Sequence, residues 1–272
     1  SGRLTWGGLC AAGSIAVALV LTLPMFGESR PGEASNAGAS PLTEPASTEL
    51  PRPVQPAFVP GRPRFLRVST DFARWAPVLT PVIARVRPDE HAASLTSVVT
   101  RTPEGTSNIV QVLGDHVDHS GALWIRVRLA VLGHRNTGWV PRRALGGYQP
   151  VTTHLVIDLE SFKATLFRSG RPVFRGPVGV GKPSWPTPRG DFYIRNRLSG
   201  YASPEYGPLA FGTSARSRVL TDWPAGGYVG IHGTDQPGLI PGRVSHGCIR
   251  MRNEDILRLS RLMPIGTPLT IR

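Results

Sequence analysis

Only one stretch of this chain repeats its apolar residues at helical spacing. Ile256, Leu259, Leu262 and Met263 recur with that period, Glu254 and Asp255 suit the positive end of a helix, Asn253 is placed to be its N-cap, and Pro264 and Gly266 stop it. Elsewhere beyond residue 81 the apolar positions alternate with a period of two. Residues 108–113, 123–129 and 138–141 do so between Gly and Asp turns, which predicts a small β-barrel over residues 81–148. A second β-rich unit is expected over residues 152–272. Residues 154–159 and 163–167 read as strands, Ser169-Gly170 marks a hairpin into Val173 and Phe174, residues 192–194 and 228–231 add strands, and residues 268–271 return after the helix. The chain is therefore expected to be mainly β, with one or few short helices.

The amino-terminal part reads differently. Residues 6–26 carry no charge, enough for roughly 30 Å of helix, so residues 1–26 are expected to be a membrane anchor or signal segment. The small-residue site Ala37-Gly38-Ala39 lies further past this run than signal cleavage usually occurs, which favours an uncleaved anchor with the rest of the chain outside the cytoplasm. Residues 27–64, rich in Pro, Ser, Ala and Gly, are expected to be a disordered tether. Cys10 sits inside the apolar run and Cys248 is its only companion, so an exported domain would carry an unpaired thiol. The net charge of +13, almost all of it arginine, favours anionic wall polymers or membrane headgroups as surroundings. Dispersed arginines without a recognition motif argue against nucleic acid. His116 and His119 read as part of a polar loop, and no clustering of ligand residues predicts a metal or other cofactor.

Cys248 nevertheless stands in unusual company. It follows Ser245, His246 and Gly247, and a glycine-rich loop from Gly233 to Gly242 separates this group from His232. Such backbone favours turns and exposed edges, where a thiol is a candidate nucleophile rather than a small core residue. A thiol is mostly protonated at neutral pH, so it needs a base, and histidine can supply one. Either histidine could serve. If residues 246–248 were extended, His246 and Cys248 would share a face; His232 would need a tertiary approach that spacing alone does not show.

The pattern of His-Gly, a loop, then Ser-His-Gly-Cys resembles the catalytic signature of the YkuD-type L,D-transpeptidases. Gly179-Val180-Gly181-Lys182 and Thr187-Pro188-Arg189-Gly190 resemble that family's strand and turn ahead of the active-site half, so the likeness runs from about residue 152 to residue 272. It implies a β-sandwich catalytic domain with Cys248 as nucleophile, His232 as general base, and the Gly233 carbonyl orienting the imidazole. It also implies that Ser245, His246 and Gly247 shape the pocket, with the N–H groups of Gly247 and Cys248 as the oxyanion hole. Twelve residues separate His232 from Ser245, at or slightly below the family's spacing, and Arg250 stands where many members carry asparagine. Arg250 would either grip a substrate carboxylate or pair with Glu254 or Asp255. The implied substrates are peptidoglycan stem peptides, and the implied reaction is acyl transfer through a thioester. Hydrolysis of that thioester, or wall binding without catalysis, are the competing readings. Trp124 and Gly138-Trp139-Val140-Pro141 resemble a bacterial SH3-like module, which would precede the catalytic domain.

Overall fold

The computed structural model describes residues 64–65, 69, 71–132, 136–200, 203–219 and 227–272. The expected anchor, Cys10 and all of the expected tether but Arg64 lie outside the described residues. Among the described residues no helix is long and apolar enough to cross a membrane.

The first sheet is antiparallel and eight-stranded. Its strands are β1 (Arg64–Phe65), β2 (Ala73–Pro77), β3 (Val82–Arg85), β4 (Ser94–Val98), β5 (Ile109–Val117), β6 (Leu123–Arg128), β7 (Thr137–Pro141) and β8 (Gln149–Val151). They run β4-β3-β7-β6-β5-β2-β8, with β1 paired to β5. Its core gathers Ala76, Val98, Val110, Val112, Ile125, Val127 and Val140, the inward members of the alternating runs. This sheet reaches beyond residues 81–148 at both ends. β2 pairs with β5 and with β8, so it lies inside the sheet, a place that its two arginine- and proline-flanked apolar residues do not advertise.

The second sheet has ten strands and one α-helix. The strands are β9 (Thr153–Asp158), β10 (Lys163–Arg168), β11 (Arg171–Pro177), β12 (Gly179–Gly181), β13 (Gly190–Ser199), β14 (Leu209–Arg216), β15 (Tyr228–His232), β16 (Gly242–Ser245), β17 (Ile249–Arg250) and β18 (Pro268–Ile271). The helix is α1 (Asn253–Leu262). The hairpin between β10 and β11 turns through Ser169 and Gly170, both at positive φ (48° and 76°), the conformation that matches strand twist. β13 belongs to both halves of the sheet. Its first residues pair with β18 and its later ones with β14, so the strands wrap a shared core as a sandwich. Leu155, Ile157, Leu166, Ile194, Phe211, Ile231 and Ile249 are fully buried there, and α1 adds Ile256 and Leu259 to the same cluster. Burial of each such side chain stabilises by about 1.5–3 kcal/mol.

Asn253 does not cap α1. It is the first helical residue, Arg252 occupies the cap position in an extended conformation, and no side chain caps the helix. The Asn253 Oδ1 instead accepts the N–H of Thr234 at 2.9 Å, so a group expected to serve its own helix ties that helix to the loop after β15.

Candidate active site

Two parallel pairings assemble the site from distant segments. β15 runs parallel to β17, with Ile231 opposite Ile249 and His232 opposite Arg250, and β12 runs parallel to β16 and also meets β17 in an antiparallel pair. His232 thus ends one strand and Cys248 precedes the next. Both line a pocket of about 240 Å³, together with Ser245, His246, Gly247, Arg250, Glu205, Tyr206 and Tyr228.

Gly230 lies close to both side chains. Its N–H points at the Cys248 Sγ, 3.4 Å away. A Cβ at this position would lie 3.8 Å from the His232 Cδ2 and 3.9 Å from the same sulfur. The imidazole is 3% exposed, and its Nδ1 is 2.6 Å from the Gly233 carbonyl oxygen. A carbonyl oxygen only accepts, so Nδ1 carries the hydrogen and the lone pair of neutral His232 is on Nε2. The Tyr206 ring packs against the imidazole with centroids 4.8 Å apart.

Electrostatics keep both groups neutral. Burial pulls His232 down to about 4, against the opposing pull of the Gly233 and Glu205 backbone, and the Arg250 charge lowers it further. Burial pushes the Cys248 thiol up, with the Gly230 N–H and Arg250 acting in the opposite direction. The resting pair is a thiol beside a neutral imidazole.

The Ser-His-Gly-Cys segment is not extended. The chain bends at His246 and Gly247, with Gly247 at φ 115°, so the shared face expected for His246 and Cys248 does not form. His246 is exposed, with its ring edge-on to Trp185 at 4.5 Å. Ser245 is buried and holds the bend: its Oγ donates to the Cys248 carbonyl at 2.5 Å and accepts the Gly247 N–H at 3.1 Å. Thr187 ties the same bend to β12. Its hydroxyl accepts the Gly181 N–H and donates to the Gly247 carbonyl, both at 2.9 Å. Gly181 allows this because a Cβ there would overlap the Trp185 carbonyl.

Arg250 lines the pocket, and its buried Nε has no hydrogen-bond partner. Asp255 pairs with Arg258 at 3.1 Å, and no ion pair joins Arg250 to Glu254 or Asp255 among the described residues. Neither acidic residue at the start of α1 therefore holds the Arg250 charge. His116 is not part of a loop, as expected, but lies on β5 with its ring near Trp139, while His119 is in the exposed turn that follows.

Sequence reasoning missed three groups here. Tyr228 shares one face of β15 with Gly230 and His232, a period-two signal that was available. Glu205 and Tyr206 arrive from a short 3₁₀ turn before β14, which no local pattern connects to His232.

Residues 152–271 match the family model of the L,D-transpeptidase catalytic domain, YkuD. The chain is 35% identical over 118 residues to a candidate L,D-transpeptidase named YkuD from Bacillus subtilis, covering 43% of this chain and 65% of the relative. The corresponding Bacillus licheniformis protein is 32% identical over 143 residues, covering 53% of this chain and 73% of the relative. The chain thus spans about two thirds of the length of these relatives. A solved structure of the catalytic domain of the Enterococcus faecium L,D-transpeptidase is 27% identical, with 44% of this chain and 96% of that one covered at a TM-score of 0.34. By its matched domain and these relatives, the chain belongs to the L,D-transpeptidase (YkuD) family.

Proposed function

We propose that this chain is a peptidoglycan L,D-transpeptidase that works through a Cys248 thioester. The observation that carries the reading is the arrangement around Gly230: one thiol and one imidazole border the same glycine, with Nδ1 held by Gly233 and Nε2 left as the basic atom. Nε2 of His232 takes the thiol proton as sulfur attacks the carbonyl of the penultimate residue of a tetrapeptide stem. The C–N bond to terminal D-alanine breaks, the imidazolium returns the proton to the departing amine, and a thioester remains. An amine of a neighbouring stem then attacks the thioester, gives up a proton to Nε2 of His232 and expels the thiolate, which takes that proton back as the thiol. The Cys248 N–H is the principal oxyanion donor in this scheme, because the Gly247 N–H is already shared with Ser245. Arg250 meets a substrate carboxylate. The reaction belongs outside the cytoplasm, where stem peptides and anionic wall polymers are found, and an amino-terminal anchor and an SH3-like first unit fit that setting.

Intact-mass spectrometry of the protein with a defined tetrapeptide, with and without an acceptor amine, tests the proposal. A mass gain equal to the donor minus D-alanine, absent in Cys248→Ala, and a cross-linked product when the amine is added are expected. Loss of D-alanine with no cross-linked product would assign a carboxypeptidase or endopeptidase instead, and release by Cys248→Ala at the parent rate would remove the catalytic role altogether.

A further inference from the structure

Tyr228 borders two cavities. One is the catalytic pocket; the other, of about 370 Å³, lies where the two sheets meet, with Arg101, Thr102 and Pro103 of the first unit facing Tyr193, Arg195 and Arg216 of the second. The guanidinium carbon of Arg195 is 3.8 Å from the Tyr228 ring centroid, and that of Arg216 is 4.7 Å from it. Arg195 is 2% exposed. A guanidinium so deeply buried needs a counter-charge to hold its place.

That counter-charge comes from the other sheet. Arg195 Nη2 donates to Glu104 Oε1 at 2.6 Å, and Glu104 lies in the loop between β4 and β5. The second carboxylate oxygen accepts the neighbouring Asn196 Nδ2 at 3.1 Å, and the Asn196 Oδ1 accepts the Gly212 N–H of β14 at 3.1 Å. One carboxylate of the first unit is therefore gripped by two successive residues of β13, and one of those residues is the cation against the pocket wall.

We propose that Glu104 is a positioning residue for the pocket: by neutralising Arg195 it holds Tyr228 as a fixed wall against which the donor peptide fits. The first β unit is then a working part of the site and not a spacer. The inference rests on the transpeptidase reading for the identity of the donor. Because Tyr228 precedes His232 by four residues on β15, the expected effect falls on donor binding and leaves the thiol itself reactive.

Full-length protein serves for the test. Removing the Glu104 charge alone exposes a buried cation to loss of its partner, so E104Q is paired with E104M/R195M, in which neither charge remains. In a Cys248→Ala background, calorimetry with the tetrapeptide should show affinity about tenfold weaker for both variants, the scale of a desolvated cation–π contact. The double variant should melt near the parent temperature. Parent-like affinity in the double variant overturns the proposal, as does a Cys248→Ala parent that binds no donor. With Cys248 present, iodoacetamide should alkylate E104Q within about twofold of the parent rate, and a larger loss would show that Glu104 acts on the thiol and imidazole instead. The acyl adduct is read separately in the unmodified protein. Its absence, with the affinity difference intact, would defeat the transpeptidase reading while leaving Glu104 as a positioning residue.

Discussion

Single side chains set how the stability of the fold responds to pH. His232 binds a proton less readily folded than unfolded, because burial lowers it from 6.5 to about 4. Between these values the unfolded chain takes up a proton that the native state refuses, so this part of the stability is complete above about pH 6.5 and lost as pH falls toward 4. The loss amounts to about 3 kcal/mol. Denaturant titrations at pH 7 and pH 4.5 should show that loss in the parent and a smaller one in His232→Gln; equal losses would show that another group governs acid unfolding. Thr187, 5% exposed, holds Gly181 and Gly247 with a single hydroxyl. Thr187→Val leaves both buried backbone groups short of a partner and should cost about 1–3 kcal/mol, read as a lower thermal midpoint, with slower acylation as the bend loosens. An unchanged midpoint would mean that water replaces the hydroxyl. The types Cys248 and His232 were legible as a candidate pair, whereas Nδ1 as the protonated nitrogen followed only from the Gly233 carbonyl.

At the scale of elements, a short strand carries a pocket-lining ring, a glycine and an imidazole at alternate positions: Tyr228, Gly230 and His232. A methyl on Gly230 would meet the sulfur and the imidazole only at ordinary contact distances. Gly230→Ala should therefore fold with nearly the parent melting temperature yet acylate at least about tenfold more slowly, because the added carbon fills the space between the two groups. Parent-like acylation would show that the groups meet on another side of the strand. The helix α1 was readable from its period, and β9, β10, β15 and β18 from theirs. β14 was not, since it is buried on nearly every residue and built of small and polar ones such as Thr213 and Ser214, so it shows no alternation. Asn253 looked like a cap from composition, but the Thr234 N–H competed for its oxygen, and Gly207 and Gly233 leave the space for that approach.

Over the whole molecule, the two sheets are joined by polar contacts that neither pattern foretold. Tyr193 donates to the Ile109 carbonyl at 2.9 Å, and Arg128 and Asn136 both donate to the Asp191 carbonyl, at 3.0 and 2.8 Å. Trp75 packs where any Cβ on Gly266 would overlap its ring. Residues 64–272 should accordingly unfold in one calorimetric transition, with residues 152–272 alone melting at lower temperature because Tyr193 and Arg195 lose their cover. Two separated transitions in the longer chain would deny this coupling. What residue order determined by itself was local: where most of the described strands and helix α1 lie, and that a thiol, two histidines and several glycines share a short stretch, since side-chain period and turn chemistry act between near neighbours. The resemblance alone picked His232 from the two histidines; the bend that turns His246 outward, the clamp of Thr187 on Gly247 and the approach of Glu104 to Arg195 were decided only by folding. Each depends on strands that are far apart along the chain, and their register is set by the shared core rather than by any nearby residue.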